Sequence, residues 1–356
     1  MTLAFLIVLA LILAGGGPVA QPVLLNFIFY VIFTPLIATA IIFAGSLFVN
    51  FAQSANMIMR GEGILKKAML ITGTGAVLNI ILDPIMITAM SAQGKGIEGA
   101  AYATVVSQIV TAAITLWYFL TKSKVVRIHR VRLESSLISE ILGVGFSAML
   151  MQVMTMVQQT TLYHVAARHG GDTWQIILGA ALSIQSFTMI PLWGAGQGFQ
   201  PAAGTNYGAK QYDRVKQVTR AFMVGVTVLS LIFYIPIQLA PKTILSWFIK
   251  DAGIVSQGVT DFRILFSTYI VLGFVLMVIT LMQSLGKASK ASVLVMMRQI
   301  ILFVPLAIFL PQIGGLGVHG VFLAPAVTDL IILVLAIVML AREFRNLSKL
   351  AAQTRR

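Results

Sequence analysis

LNIILDPIMI, residues 78–87, sets Asn79, Asp83 and Pro84 inside an otherwise apolar run. A carboxylate near the centre of a bilayer costs about 2.5–3.5 kcal/mol on insertion scales, so its presence needs a reason. Either Asp83 faces the interior of a helix bundle and binds an ion or substrate there, or it bonds the helix groups that Pro84 frees. Burial strengthens a carboxylate's hold on a proton and a bound cation weakens it, so one such group can exchange a proton for a cation. Other polar residues stand at membrane depth further along the chain. Gln158 and Gln159 lie in one span, and Arg298 lies about seven residues into another, a depth from which it can snorkel to the surface. Asp329 lies deeper, where it pairs with Arg298 or serves a second site. PLWGAGQGFQPAAGTNYGAKQ, residues 191–211, carries Gln200 and Asn206 among Pro191, Gly196, Gly198 and Pro201. Proline and glycine at that depth predict a broken or tightly packed helix, read as a gate or hinge at an inner vestibule or as a helix-end packing motif.

The elements that position these groups follow from composition. Hydrophobic residues make up 58% of the 356 and charged residues 10%, against about 25% charged in a soluble domain. Ten apolar segments, at 2–14, 23–50, 66–90, 99–121, 137–166, 174–199, 217–239, 262–283, 291–311 and 317–341, mostly reach the ~20 residues a membrane helix needs. They run too long for barrel strands, so the expected fold is an all-α integral membrane bundle. The net charge of +14 suggests nucleic acid until its placement is read. With Met1 cytoplasmic, 20 of the 25 lysines and arginines fall in inner loops and helix ends, the asymmetry expected of a multi-pass protein of the cell membrane with both termini inside. A membrane enzyme such as a prenyltransferase would need clustered aspartates for Mg²⁺ and diphosphate, and the acidic residues are scattered, so neither catalysis nor a bound metal is expected. The first twenty residues lack the basic n-region of a signal peptide and read as a membrane helix.

An internal repeat organises the chain. GILKKA at 63–68 matches GKASKA at 286–291, and GKGIEGA at 94–100 matches GLGVHGV at 315–321. Pro84 corresponds to Pro305, and Ser107–Gln108 to Thr328–Asp329. Four matches in order indicate a duplicated three-helix unit, the two copies related by a pseudo-two-fold axis. Both glycine motifs satisfy G-x-G-x-x-G, but each follows a membrane helix instead of a strand, so they read as tight turns and not as a dinucleotide site. The expected division is a partial first lobe over 1–121, a basic linker over 122–136, a six-helix second lobe over 137–341 and a basic tail over 342–356. Extrapolating the repeat predicts a 6 + 6 plan with the first two helices absent.

MRGEGILKKAM, LNIILDPIMI and GIEGAAYATVVSQ resemble the fourth to sixth helices of the multidrug and toxic compound extrusion (MATE) family, in its bacterial DinF/MepA-like branch. GQGFQPAAGTNYGAK is similar to that family's eighth-helix signature, and MQSLGKASKASVLVMMRQ with GLGVHGVFLAPAVTD to its tenth to twelfth helices. The resemblance implies two lobes around a central cavity and alternating access. It also implies export of amphipathic or cationic compounds, driven by inward H⁺ or Na⁺ without a cofactor or an obligate protein partner. A lipid-carrier or glycan flippase of the same superfamily is the alternative, and it would want a more cationic cavity than Arg298 supplies. Many members carry an acidic group of the cation site in the first helix, one of the two expected to be absent here. Some also carry acids in the seventh and tenth, where the corresponding spans show Gln158 and Gln159 and no mid-span carboxylate.

Overall fold

The computed structural model describes residues 34–123 and 135–354, and these divide into two compact units at residue 131/132. Each is all-helical. The first segment expected to span, 2–14, lies outside the described residues, as do residues 23–33 of the second.

The first unit contains α1 (Thr34–Gly61), α2 (Leu65–Ser91) and α3 (Gly96–Thr121). Helix α3 packs against both others through small residues. A Cβ on Gly45 of α1 would come within 2.7 Å of Val105, and one on Gly75 of α2 within 2.1 Å of the Thr111 hydroxyl. Close approach of this kind replaces the hydrophobic drive that lipid cannot supply between helices. At one end of the unit buried Asn56 donates to Ala68 O at 3.0 Å and to Thr72 Oγ1 at 2.8 Å, and accepts from Arg60 Nε at 2.7 Å. One amide thereby fastens α1 to α2.

The second unit opens with α4 (Ser135–Gly208), whose 74 residues would make a rod of about 110 Å if straight. Instead it breaks at Gly171, whose φ of 67° and ψ of −162° belong to a region essentially reserved for glycine. The two halves fold back on each other, since Gln175 reaches Tyr163 O at 3.5 Å and Gly179 lies beside the Tyr163 hydroxyl. There follow α5 (Tyr212–Leu239), the short α6 (Pro241–Ser246), α7 (Ala252–Phe266) and α8 (Tyr269–Ser284). Next come α9 (Ala288–Met296), a π-helical turn (Met297–Leu302), α10 (Phe303–Phe309) and α11 (Val318–Thr354). The core is aromatic: Phe199, Phe262, Phe266, Tyr269, Phe303 and Phe322 are fully buried, and the Tyr269 hydroxyl donates to Thr188 O at 2.8 Å.

Among the described residues eight helices are long and apolar enough to cross a membrane, counting broken α4 once and α7 with α8 as one. Their ends differ from the apolar segments. Helix α1 runs on to Gly61, the second half of α4 to Gly208 and α11 to Thr354, while α7 begins at Ala252. Apolarity marks only the part in hydrocarbon, and a helix continues into water wherever its backbone can keep bonding to itself.

The two glycine motifs both reverse the chain on positive-φ glycine, the first at Gly94 alone and the second at Gly314, Gly315 and Gly317. Gly94 and Gly315 have φ of 72° and 75°, which places each chain reversal on a residue without a Cβ. Further on, Gly99 and Gly320 each press against the helix before the turn. A Cβ on Gly99 would lie 2.6 Å from Met86 O, and one on Gly320 2.6 Å from Pro311 N.

Candidate functional site

Asp83 is the charged group at membrane depth in the first unit, and α2 positions it. Gly75, Asn79 and Asp83 follow one another at intervals of four residues, so they wind slowly around a single side of the helix. Gly75 is pressed onto α3, and by Asn79 and Asp83 the line has turned to a half-buried position. Asn79 Nδ2 donates to Asp83 Oδ1 at 3.2 Å. Neutral hydrogen bonding is the contact seen there, with no lysine or arginine in ion-pairing range among the described residues. One turn on, the Thr88 hydroxyl donates to Pro84 O at 2.6 Å. What α2 offers is a carboxylate flanked by an amide, with lone pairs that can take a proton or coordinate a hard monovalent cation.

In the second unit Arg298 and Asp329 meet. Arg298 Nε donates to Asp329 Oδ1 at 2.8 Å, and the Thr268 hydroxyl to Asp329 Oδ2 at 3.2 Å. Asp329 is buried and Arg298 largely so. The pair joins three irregular places: Arg298 stands in the π turn, Thr268 caps the start of α8 where α7 ends, and Asp329 lies just past Pro325 in α11. Gln299, next in the π turn, donates to Thr155 Oγ1 at 3.0 Å and ties the same segment to α4. Snorkelling therefore does not describe Arg298, whose charge is spent on a partner inside the unit.

The remaining candidates spread along α4. Half-buried Gln158 and exposed Gln159 sit on its first half, and Gln159 with Met156, Tyr163, His164 and Gln175 lines a cavity of about 480 Å³. Gln200 is half-buried, and Asn206 donates to Ala202 O at 2.7 Å. Between Pro191 and Gly208 the helix is continuous, so of the broken and tightly packed readings the second is realised. Gly196 approaches Thr280 and Met277 of α8, Gly198 approaches Phe222 of α5, and Pro201 stays within the helix. The break falls at Gly171 instead.

One hydrogen-bonded pair is absent from the sequence reading. Asp261 of α7 is fully buried and bonds His319 Nδ1 at 2.7 Å, while His319 is half-exposed and stacks edge-on against Trp174. Asp261 stands one residue before the apolar segment 262–283, outside the part of the helix that apolarity marks. The signal for the longer helix was Asp251, which accepts from the amides of Gly253 at 2.7 Å and Ile254 at 3.2 Å as an N-cap.

Duplicated glycine-turn hairpins of membrane helices, with few polar groups and those mostly partnered internally, define a polytopic all-α membrane protein. The MatE family model matches residues 143–309, and bacterial MepA proteins are among the chain's relatives. The multidrug export protein MepA of Staphylococcus aureus is 23% identical over 243 residues, covering 68% of this chain and 53% of MepA. A FAD transporter of Shewanella oneidensis is 24% identical over 282 residues, covering 78% of this chain and 61% of that protein. The chain thus spans between half and two thirds of the length of these curated relatives. Among solved structures, a MATE protein in complex with MaL6 superposes with a TM-score of 0.81 at 24% identity, over 88% of this chain and 70% of that one. The fold is the MATE fold.

Proposed function

We propose that the chain works in a secondary antiporter that exports amphipathic, chiefly cationic compounds by alternating access, coupled to inward H⁺ or Na⁺. The observation that carries this reading is Asp83 with Asn79: a carboxylate at membrane depth, bonded to a neutral amide and, among the described residues, without a basic partner. A gradient delivers about 2.3 kcal/mol per charge per 100 mV, and a protein uses it only through a group that binds the ion differently in its two conformations. Similarity to MepA supports the cargo class. The charge asymmetry supports termini on the cytoplasmic side, and the repeat supports one lobe over 1–121 and a second over 137–341.

A second reading, export of a flavin dinucleotide, is favoured by the similarity to the FAD transporter. Against it, Arg298, the intramembrane cation that would suit an anionic cargo or a diphosphate-linked lipid, is already paired with Asp329. The test is transport by the purified protein in proteoliposomes under imposed H⁺ or Na⁺ gradients. Gradient-dependent movement of a lipophilic cation, undiminished by excess flavin dinucleotide, is expected. Gradient-driven flavin dinucleotide transport with no movement of the cation would favour the second reading.

A further inference from the structure

Helix α11 outruns the hydrocarbon, and its two sides differ. Leu330, Ile331, Val334, Ile337 and Val338 are exposed and form one apolar stripe at helical spacing, while Ile332, Ala336, Glu343 and Leu347 are buried opposite them. Followed past Val338 at the same spacing, the stripe reaches Arg342, Arg345 and Lys349, all exposed. The two arginines stand one to two helical turns beyond Val338, at headgroup depth.

The neighbouring helix repeats the pattern from the opposite direction. On α5 the exposed stripe of Val224, Val228, Ile232 and Ile235 leads back to exposed Arg220. The Arg220 guanidinium lies 5.8 Å from the centre of the Phe344 ring, and Lys216 Nζ donates to Ser348 Oγ at 3.0 Å, which fixes the two helices side by side at this end. The nearby carboxylates are engaged elsewhere: Asp213 with Lys216 at 2.8 Å, and Glu343 with Lys287 and, at 3.9 Å, Lys290. Among the described residues none pairs with Arg220, Arg342, Arg345 or Lys349.

We propose that this end of α5 and α11 is a binding surface for an anionic phospholipid. Arg220 and Arg345 receive the headgroup phosphate, Arg342 and Lys349 flank it, and the acyl chains lie along Val334 and Val338 on one helix and Val224 and Val228 on the other. Guanidinium groups suit the role because their planar fork matches phosphate oxygens two at a time. A lipid fits better than a soluble anion because the charges continue stripes that face hydrocarbon.

Native mass spectrometry of the full protein in detergent, with equimolar phosphatidylglycerol and phosphatidylcholine, tests the proposal. The protein should retain phosphatidylglycerol in preference. Arg220→Gln and Arg345→Gln should each lower the ratio of the two lipids about fivefold, and Lys242→Gln at the other end should leave it unchanged. If one glutamine variant does not purify, the other carries the test, with Arg345→Lys expected to keep most of the preference. Equal retention of the two lipids, or a ratio indifferent to the glutamine variants, would overturn the proposal. So would displacement of phosphatidylglycerol by millimolar inorganic phosphate, which would mark a soluble-anion site.

Discussion

The hairpins around Gly94 and Gly315 are alike in how their glycines pack and differ in charge. In both the first glycine takes φ above 70° and the last presses against the preceding helix, because any chain reversing this tightly at a membrane surface meets the same steric limit. Their polar groups do not correspond. The first hairpin holds Asp83 with an amide and has Gln108 where the second has Asp329, whereas the second closes Asp329 onto Arg298 and Thr268. Duplicated geometry is kept by packing, and charge is kept where it is used. Asp329 is best read as a clasp between helices and Asp83 as a group left available for exchange.

Removing one side of the clasp should have the largest effect. Arg298→Ala leaves Asp329 buried and uncompensated, which costs about 3–5 kcal/mol, and a thermal melt in detergent should record it as a large drop in midpoint. Arg298→Met combined with Asp329→Leu should recover most of the loss. A double variant as unstable as the single one would show that the pair does more than hold helices together. The glycines come next. Gly99→Ala and Gly320→Ala each force a Cβ against backbone, and each should cost about 1–3 kcal/mol by the same measurement. A large penalty in one hairpin alone would break the claim that Gly99 and Gly320 play the same packing role. Smallest is Asp251→Ala, which removes an N-cap outside both hairpins and should cost about 1 kcal/mol.

The sequence made the membrane class, the order of helices and the glycine turns legible, because apolar length and repeated glycines are local signals. Helix ends were less so: Arg60, Asn206, Asp261 and Glu343 lie in helix beyond the apolar segments. The density of Pro and Gly at 191–208 drew attention from Gly171, since proline within a packed membrane helix is tolerated while a single glycine torsion can reverse the chain. Asp83 and Asn79 could be placed together from their spacing. The Arg298–Asp329 contact could not, because it joins separate helices and the π turn at Met297–Leu302 shifts the phase by which Arg298 would be oriented.

The account turns on the difference between the two aspartates, and one paired experiment reads it directly. Asp83→Asn and Asp329→Asn are made in the complete protein, and each is assayed for thermal midpoint and for gradient-driven efflux of a lipophilic cation from proteoliposomes. Asp83→Asn should keep the midpoint within about 1 kcal/mol and abolish gradient coupling, because the amide preserves shape but cannot titrate. Asp329→Asn should lower the midpoint sharply by leaving Arg298 unpaired. A folded Asp83→Asn protein that still couples efflux to the gradient, with unchanged dependence on pH and Na⁺, would contradict the account.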